Sequence, residues 1–267
     1  MKPAKLARYV HGPVKVSTNQ GYRFWITFID DHSRFKAVYL LKRKSEAFAA
    51  FKQYKAWAEN VTGQRLGTLR DDKGGEYMSR DFEAFCINHG IQRQHTVRNH
   101  PQQNGVAERA NRTMEEGIIS MLYESGMPPS FWGEALSSFI HVHNRVTTTA
   151  LPDSTPYESF LGSKPDLSML RVWGCTTYVL IQKDKRPLGS LGSHMEKCIF
   201  IGYLVQEAVQ YLYTWERGFY VSSIKLNHGQ KGNTMHQRMC NDQERKIRLK
   251  GVTHASPRQG EGEGERE

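Results

Sequence analysis

A hairpin-like segment followed by an amphipathic helix constrains the fold of this chain most strongly. Residues 22–29 and 35–41 are rich in aromatic and β-branched residues, and the turn formers Asp30-Asp31-His32-Ser33 separate them, which predicts a β-hairpin. Between Ser45 and Gly63 the apolar residues recur every three or four positions, as they do on one face of a helix, and Ser45 is the predicted N-cap. Such a helix should cover one face of a sheet, so an α/β class is predicted.

The alternation of strands and helices continues through the next hundred residues. Predicted elements are a strand at 8–16 interrupted by Gly12-Pro13, a strand at 64–70, a helix from Ser79 to Gly90, a strand at 91–96, a surface loop at 97–105, helices at 106–124 and 129–145, and a helical turn at Thr155. Short strands return from Leu170, and the sequence after Leu226 is polar. We therefore predict a core domain at 1–165, a small β-rich module at 166–224 and a disordered tail at 225–267.

Charge points to an anionic partner. Lys and Arg number 37 against 27 Asp and Glu, a formal net charge of +10, which favours nucleic acid, although a basic soluble protein is the plain alternative. The four cysteines show no C-x-x-C pair and no histidine at ligand spacing, so neither a zinc module nor a disulfide framework is predicted. No apolar run reaches the roughly eighteen residues of a membrane span, and no secretion signal is evident at Met1.

Two carboxylates mark the candidate site. Asp72 follows a predicted strand within LRDDKGGEY, Glu108 opens a predicted helix, and 35 residues lie between them. Carboxylate oxygens are the ligands that Mg²⁺ or Mn²⁺ prefers, and two such ions about 4 Å apart catalyse phosphoryl transfer. The spacing alone is weak evidence, because roughly one residue in ten is acidic in this chain. Its place beside a glycine-rich loop and a basic helix strengthens it.

Side chains around Glu108 are candidates for contacting nucleic acid. Arg109 and Arg112 are three apart on the helix of Glu108, where they suit phosphate contacts; alternatively they pair with Glu115 and Glu116 on a solvated face. The amides of Gln102, Gln103 and Asn104 suit nucleotide edges or sugars, and ordinary turn chemistry is the alternative.

Two other polar pairs favour a structural role. Asp30 and Asp31 are interpreted as hairpin-turn residues rather than metal ligands. His141 and His143 are two apart on a predicted helix and cannot share one of its faces, so a metal-binding pair is not predicted.

Several motifs occur together in a set order and resemble a known family. The chain is similar to the integrase catalytic core of copia-like retrotransposon polyproteins, which is retroviral-integrase-like and belongs to the ribonuclease-H-like superfamily. The resemblance covers about residues 9–204. Its motifs are FIDDHSR at 28–34, LRDDKGGEY at 69–77, PQQNGVAERANRT at 101–113, the FWGEAL and NR segments within 131–145, TPYESFLGSKP at 155–165, LRVWGC at 170–175 and CIFIGY at 198–203.

The resemblance implies a catalytic triad of acids that this sequence only partly contains. Asp72 and Glu108 stand where the family has its second and third acids, so they are the implied catalytic and metal-binding residues, for Mg²⁺ or Mn²⁺. The first acid belongs to an Asp-x-x-Gly-Pro segment, which here reads Tyr9-Val10-His11-Gly12-Pro13. Tyr9 replaces it, and a neutral phenol is a poor Mg²⁺ ligand.

The resemblance therefore implies a fold, an ancestral reaction and the loss of one catalytic acid. The expected fold is a ribonuclease-H-like mixed five-stranded sheet flanked by helices, with a small β-rich extension. The ancestral function is DNA integration in the nucleus, by transfer of element DNA 3′ ends into target DNA, with DNA as partner, RNA as a further candidate, and self-assembly into a homo-oligomer. The alternatives are a catalytically dead nucleic-acid-binding remnant, which we favour for activity, and a ribonuclease-H-like nuclease.

Overall fold

The main sheet of the computed structural model has five strands, and their order is β3-β2-β1-β4-β5. The structure describes residues 4–71, 80–95, 101–168, 170–181, 191–203, 210–213 and 220–223; for 71, 95, 101–108, 179–180, 210–213 and 220–223 it describes the backbone alone. The strands of this sheet are β1 (Ala4–His11), β2 (Phe24–Asp30), β3 (Lys36–Leu41), β4 (Leu66–Asp71) and β5 (Gln92–His95). The predicted hairpin is confirmed as β2 and β3.

Strand directions decide which ends of the elements meet. β1 pairs antiparallel with β2, which pairs antiparallel with β3, whereas β4 runs parallel to both β1 and β5. The carboxyl ends of β1, β3 and β4 and the start of β2 therefore lie at one end of the sheet, here called the β1 end. The hairpin turn at Asp30 lies at the opposite end.

Among the described residues, five α-helices flank the sheet. They are α1 (Ala47–Thr62), α2 (Arg80–Asn88), α3 (Pro101–Ser125), α4 (Trp132–His143) and α5 (Pro156–Leu161). α1 ends at Gly63, which has a left-handed φ of 66° and donates its N–H to the carbonyl of Glu59. α5 begins at Thr155, whose hydroxyl accepts the N–H of Glu158 at 3.1 Å, as the Thr-Pro start predicts.

The two faces of the main sheet carry two different cores. Leu6 joins a cluster with Phe28 of β2, Phe51 of α1 and Phe82 of α2, so α1 and α2 cover one face of the sheet. The other face carries the cluster of Trp25, Met114, Ile118, Leu136 and Trp173, in which α3 and α4 pack on the sheet. Both faces are buried, as expected of a sheet between two layers of helices.

The end of α4 is fastened to the edge strand β3. Asn144, which is buried, accepts the backbone N–H of Lys36 at 2.9 Å through Oδ1 and donates Nδ2 to the carbonyl of Lys36 at 2.7 Å. Its own carbonyl accepts the N–H of Tyr157 at 2.7 Å. The side chain of Asn144 thus pairs with the backbone of β3 at Lys36, and its backbone carbonyl ties the end of α4 to α5.

A second, antiparallel sheet follows the five-stranded one. Its strands are β6 (Thr176–Leu180), β7 (Met195–Tyr203), β8 (Gln210–Tyr213) and β9 (Tyr220–Ser223), in the order β6-β7-β8-β9. The carbonyl of Ile201 on β7 accepts Nε1 of Trp173 at 2.8 Å and Oγ of Ser138 on α4 at 3.3 Å. The predicted β-rich extension is confirmed, and β7 packs on α4.

Four element boundaries differ from the sequence prediction. β1 begins at Ala4 and ends at His11, rather than spanning 8–16, because Gly12-Pro13 ends the pairing with β2. Ser45 lies inside a 3₁₀ turn at Lys44–Glu46 and does not cap α1. The predicted helix at 129–145 divides into a 3₁₀ turn at Pro129–Phe131 and α4. The fourth difference, at the start of α3, concerns the candidate site and is described there.

Two regions need separate mention. The chain divides into a unit Met1–Ile224 and a unit Lys225–Glu267, and the second lies entirely outside the described residues, as does the predicted cap Ser79. Among the helices that the structure describes, none combines the length and apolar composition required to cross a membrane.

Candidate functional site

Tyr9 lies where β1, the end of β4 and α3 come together. Parallel pairing of β1 with β4 reaches Ala7 opposite Arg70, and Tyr9 is two residues further along, beside the last residues of β4. Its ring is 8% exposed and packs with Ala7, Ile29 and Ala110 of α3. Tyr9 therefore faces the helix that carries Glu108, on the side of the sheet opposite to α1 and α2.

Helix α3 starts earlier than the sequence predicted. It begins at Pro101, so Gln102, Gln103 and Asn104 lie in its first turns, and the predicted surface loop at 97–105 is wrong from residue 101 onward. Proline suits the first helical position, since its fixed φ matches the helix and its missing N–H has no helical partner there. Burial of Met114 and Ile118 anchors the rest of the helix. Residues 97–100 of the predicted loop lie outside the described residues.

The two candidate acids are placed only as far as the backbone allows. Glu108 lies on α3 two residues before Ala110, the helix residue that packs on Tyr9. Asp72, the residue after the end of β4, lies outside the described residues, and so does the side chain of Glu108. Their assignment as catalytic and metal-binding residues stays a prediction.

Both arginines of α3, Arg109 and Arg112, are exposed. Within the described part of the chain neither guanidinium forms an ion pair. Glu115, one of the proposed intrahelical partners, instead pairs with Nε2 of His11 at 2.9 Å. The imidazole of His11 also stacks on Trp25, with ring centroids 4.0 Å apart. Burial lowers the pKa of His11, and the Glu115 carboxylate opposes that effect.

Asp30 and Asp31 act as turn residues at the opposite end of the sheet. Oδ2 of Asp30 accepts the N–H and the hydroxyl of Ser33 at 2.7 and 2.6 Å, and the carboxylate of Asp31 pairs with Arg34 at 3.2 Å. Asp30 pairs with Leu6, whereas Tyr9 pairs with Thr27. Three residues of strand separate the two levels, or about 10 Å. Neither aspartate can stand in for the acid missing at position 9.

The histidine pair of α4 is also structural. His141 stacks on Tyr203, with ring centroids 3.9 Å apart, and His143 lies 3.2 Å from Nζ of Lys36. Burial is the main cause that lowers the pKa of His141, to about 3, and the Arg145 cation lowers it further. Within the described residues there is no group of three or more His, Cys, Asp or Glu side chains suited to a metal ion.

Comparison with known proteins finds similarity to integrase core domains and to retrotransposon Pol polyproteins. The model of the integrase core domain family matches residues 10–101. The chain is 41% identical, over 194 residues, to the retrovirus-related Pol polyprotein from transposon TNT 1-94 of Nicotiana tabacum, an alignment that covers 73% of this chain. It is 30% identical over 208 residues to the Pol polyprotein from transposon RE1 of Arabidopsis thaliana, covering 78% of this chain.

The chain is similar to the integrase core family over residues 10–101 and to one segment of these polyproteins. It spans 14% of the length of each of these polyproteins. The mixed five-stranded sheet flanked by helices is the ribonuclease-H-like fold expected of an integrase core.

Solved structures of similar fold come from retroviruses. The catalytic core domain of HTLV-2 integrase, in a structure with magnesium, is 18% identical; the match covers 59% of this chain and 97% of that domain, with a TM-score of 0.45. The integrase of a simian T-cell lymphotropic virus intasome in complex with the PP2A regulatory subunit B56 gamma is 17% identical. That match covers 84% of this chain and 80% of the other, with a TM-score of 0.48.

The residue at position 9 does not fit the carboxylate that the resemblance implies there. Position 9 holds a phenol packed among apolar side chains, and hard divalent cations prefer carboxylate oxygens. The substitution was visible in the sequence, but its surroundings were not. Tyr9 contacts Ala110, and His11 pairs with Glu115. In each case about a hundred residues of chain separate the two partners, so no local sequence pattern predicts the contact.

Proposed function

We propose that this chain is an integrase core derived from enzymes of DNA integration, and that it retains DNA binding while Tyr9 disables metal-dependent strand transfer. The observation that carries this proposal is the place of Tyr9, beside the end of β4 and packed on Ala110 of α3. The motifs that follow this position along the chain match integrase cores, and the family model begins at the next residue, Val10.

The surroundings of Tyr9 explain why its phenol is a poor substitute for a carboxylate. At neutral pH a tyrosine hydroxyl is uncharged, whereas the role of the first acid is to supply negative charge between two cations. Among the described residues, Ile29, Ala7 and Ala110 pack against Tyr9, and none of these three carries a carboxylate. Asp30 is held by Ser33 at the other end of the sheet. Loss of one metal carboxylate typically removes the chemistry.

Binding to DNA has separate support. The chain carries a formal charge of +10, and Arg109 and Arg112 reach solvent on the helix that carries Glu108. Phosphate contacts from such cations need no metal. Within the same proposal, DNA rather than RNA is the partner, and the protein acts in the nucleus as a homo-oligomer.

The test compares strand transfer by the full chain with that by Tyr9→Asp and Tyr9→Asn, using Mn²⁺ and a labelled duplex with a free 3′ hydroxyl. Asn matches Asp in shape and lacks its charge, so a gain by Tyr9→Asp alone would show that the restored carboxylate matters. We expect no product from the unaltered chain and from Tyr9→Asn. Thermal unfolding checks that each variant is folded, because Tyr9 is buried.

Two results would contradict the proposal. Detectable joining by the unaltered chain would show that the tyrosine does not disable the site. Failure of a folded Tyr9→Asp to join DNA that it still binds would show that position 9 does not hold the missing acid.

A further inference from the structure

Exposed cations lie together at the β1 end of the sheet. Lys15 and Arg23 lie on the connection between β1 and β2, and Lys42 and Arg43 follow β3 directly; all four side chains are exposed. We call them the sheet-end cations. Lys44 follows them and is also exposed.

Backbone hydrogen bonds hold these residues close together. The carbonyl of Arg23 accepts the N–H of Val14 at 2.7 Å, and the N–H of Arg23 donates to the carbonyl of Leu41 at 3.1 Å. Nε1 of Trp132, at the start of α4, donates to the carbonyl of Val16 at 2.9 Å. The connection between β1 and β2 is thereby fixed against both β3 and α4, so its cations are held in place before any ligand binds.

Little negative charge opposes these cations. Residues 12–23 and 41–45 contain no Asp or Glu. Glu46 is the acid that follows, and its carboxylate accepts the N–H of Lys42 at 2.8 Å. Within the described ranges of the chain, none of the sheet-end cations forms an ion pair.

At the opposite end of the sheet, the cations beside the hairpin turn are paired. The carboxylate of Asp31 lies 3.9 Å from Lys5 and 3.2 Å from Arg34. The sheet-end cations differ from these two, because they lie together without an acid among them. That is also the end at which β1 and β4 finish and Tyr9 lies.

The chemistry of the surface favours a duplex backbone as the ligand. Proteins that bind single strands stack bases on exposed aromatic side chains. In the described part of this surface Tyr22 is half-buried, with Nζ of Lys42 lying over its ring at 5.7 Å, and the exposed apolar residue is Val16. Lysine and arginine heads without an aromatic platform suit phosphates, which a DNA duplex presents at one charge per roughly 1.7 Å of its axis.

We propose that the sheet-end cations form a contact surface for the phosphate backbone of duplex DNA, which positions the duplex across the sheet end where Tyr9 and α3 lie. This rests on the proposed function, in which DNA is the partner. Adjacent strands are about 4.8 Å apart, so β3 and β4 are separated by about 14 Å across the sheet. That distance is close to the width of a major groove, about 12 Å. A duplex that lies across this end of the sheet would span the strands from β3 to β4.

The test uses the full chain and fluorescence anisotropy of a labelled 20-base-pair duplex over a series of salt concentrations. The triple variant Lys15→Gln, Arg23→Gln, Arg43→Gln removes three sheet-end cations. Lys52→Gln, Arg65→Gln, Lys164→Gln is the matched control, because it removes three exposed cations from α1, from the start of β4 and from the segment after α5. Both variants have the same net charge. All six side chains are exposed, so we expect thermal unfolding to be unchanged.

We expect the sheet-end variant to bind at least tenfold more weakly than the control variant. The slope of log affinity against log salt should become shallower by about 0.9 for each phosphate that the protein no longer neutralises, roughly 2.7 for three. The charge-conserving variant Lys15→Arg, Arg23→Lys, Arg43→Lys should retain most of the affinity.

The outcomes separate the two proposals. If the unaltered chain binds duplex DNA but both triple variants lose equal affinity, the binding follows net charge and the sheet-end surface is rejected. Tighter binding of single-stranded DNA or RNA that both triple variants retain would also reject it. If the unaltered chain shows no salt-dependent binding of DNA, the proposed function itself fails.

Discussion

At the scale of single residues, polar and ionisable groups in this protein are mostly used to hold elements together. Asp30 closes the hairpin through Ser33, and Asn144 ties α4 to β3. His141 is the clearest case, because its imidazole lies flat on Tyr203, with an interplanar angle of 9°, at the junction of α4 and β7. Burial and the Arg145 cation both disfavour its protonated form.

The lowered pKa of His141 predicts a loss of stability in acid. Its pKa is about 3 in the folded protein and about 6.5 when unfolded, so below about pH 6.5 the unfolded chain binds a proton that the folded protein excludes. As the pH is lowered from about 6.5 to about 3, the free energy of unfolding decreases. The decrease is at most about 1.4 kcal/mol per pH unit, and it is smaller because solvent partly screens the ring.

Urea unfolding of His141→Phe between pH 7.5 and 4.5 measures this contribution. Phenylalanine keeps the stack on Tyr203 and does not titrate, so the variant should gain stability relative to the unaltered protein as pH falls. If the difference in unfolding free energy between the two proteins did not change with pH, His141 would not be the source of the acid sensitivity.

At the scale of elements, α3 is the part of the fold on which the site depends. Its first turns carry the PQQNG segment and Glu108, and its middle packs on Tyr9, on Trp25 and on α4. The approach of α3 to α4 requires a glycine, because a Cβ at Gly117 would overlap the ring of Phe139. Glycine has a poor intrinsic helix propensity, but at this position it allows the two helices to pack closely.

Replacing Gly117 by Ala should therefore destabilise the protein, although alanine is the better helix former. Overpacking costs about 1–3 kcal/mol, more than the roughly 1 kcal/mol gained in propensity. Ser120→Ala on the exposed side of α3 is the control and should change stability by less than about 0.5 kcal/mol. Thermal denaturation followed by circular dichroism measures both, and a Gly117→Ala protein that melts higher than the unaltered one would show that Phe139 moves aside without cost.

At the scale of the whole molecule, the second sheet shares a core with the first. Trp173 and Ile201 belong to the same buried cluster as Trp25 of β2 and Leu136 of α4. The carbonyl of Ile201 accepts two hydrogen bonds, from Trp173 and Ser138. Shortening a side chain in this shared cluster should therefore lower the stability of both sheets together.

Trp173→Ala should lower the free energy of unfolding by about 3–5 kcal/mol, as expected when a large buried aromatic side chain is removed. Val172 is 75% exposed, so Val172→Ala should leave stability within about 0.5 kcal/mol. Far-ultraviolet circular dichroism and the fluorescence of the remaining tryptophans should report one shared transition. Two separated transitions would mean that the sheets unfold independently.

Local sequence patterns predicted most elements of the main sheet and missed the details that depend on packing. The hairpin of β2 and β3 follows from its aromatic runs and turn residues, and α5 follows from Thr155-Pro156. Residues 101–105 were assigned to a loop because Pro, Asn and Gly favour turns, yet the structure makes them the start of α3. Met114 and Ile118 of the same helix are buried against other elements, and a local sequence pattern does not reveal such burial.

The sequence by itself determined the class of fold, the family and the absence of an acid at position 9, because these depend on residue identities and short-range periodicity. Only the tertiary structure decided that Tyr9 packs on Ala110 beside β4, that Asp30 lies too far along the sheet to replace it, and that the sheet-end cations lie together. Those relations join residues distant in the chain, and they arise from strand pairing and the burial of side chains between layers.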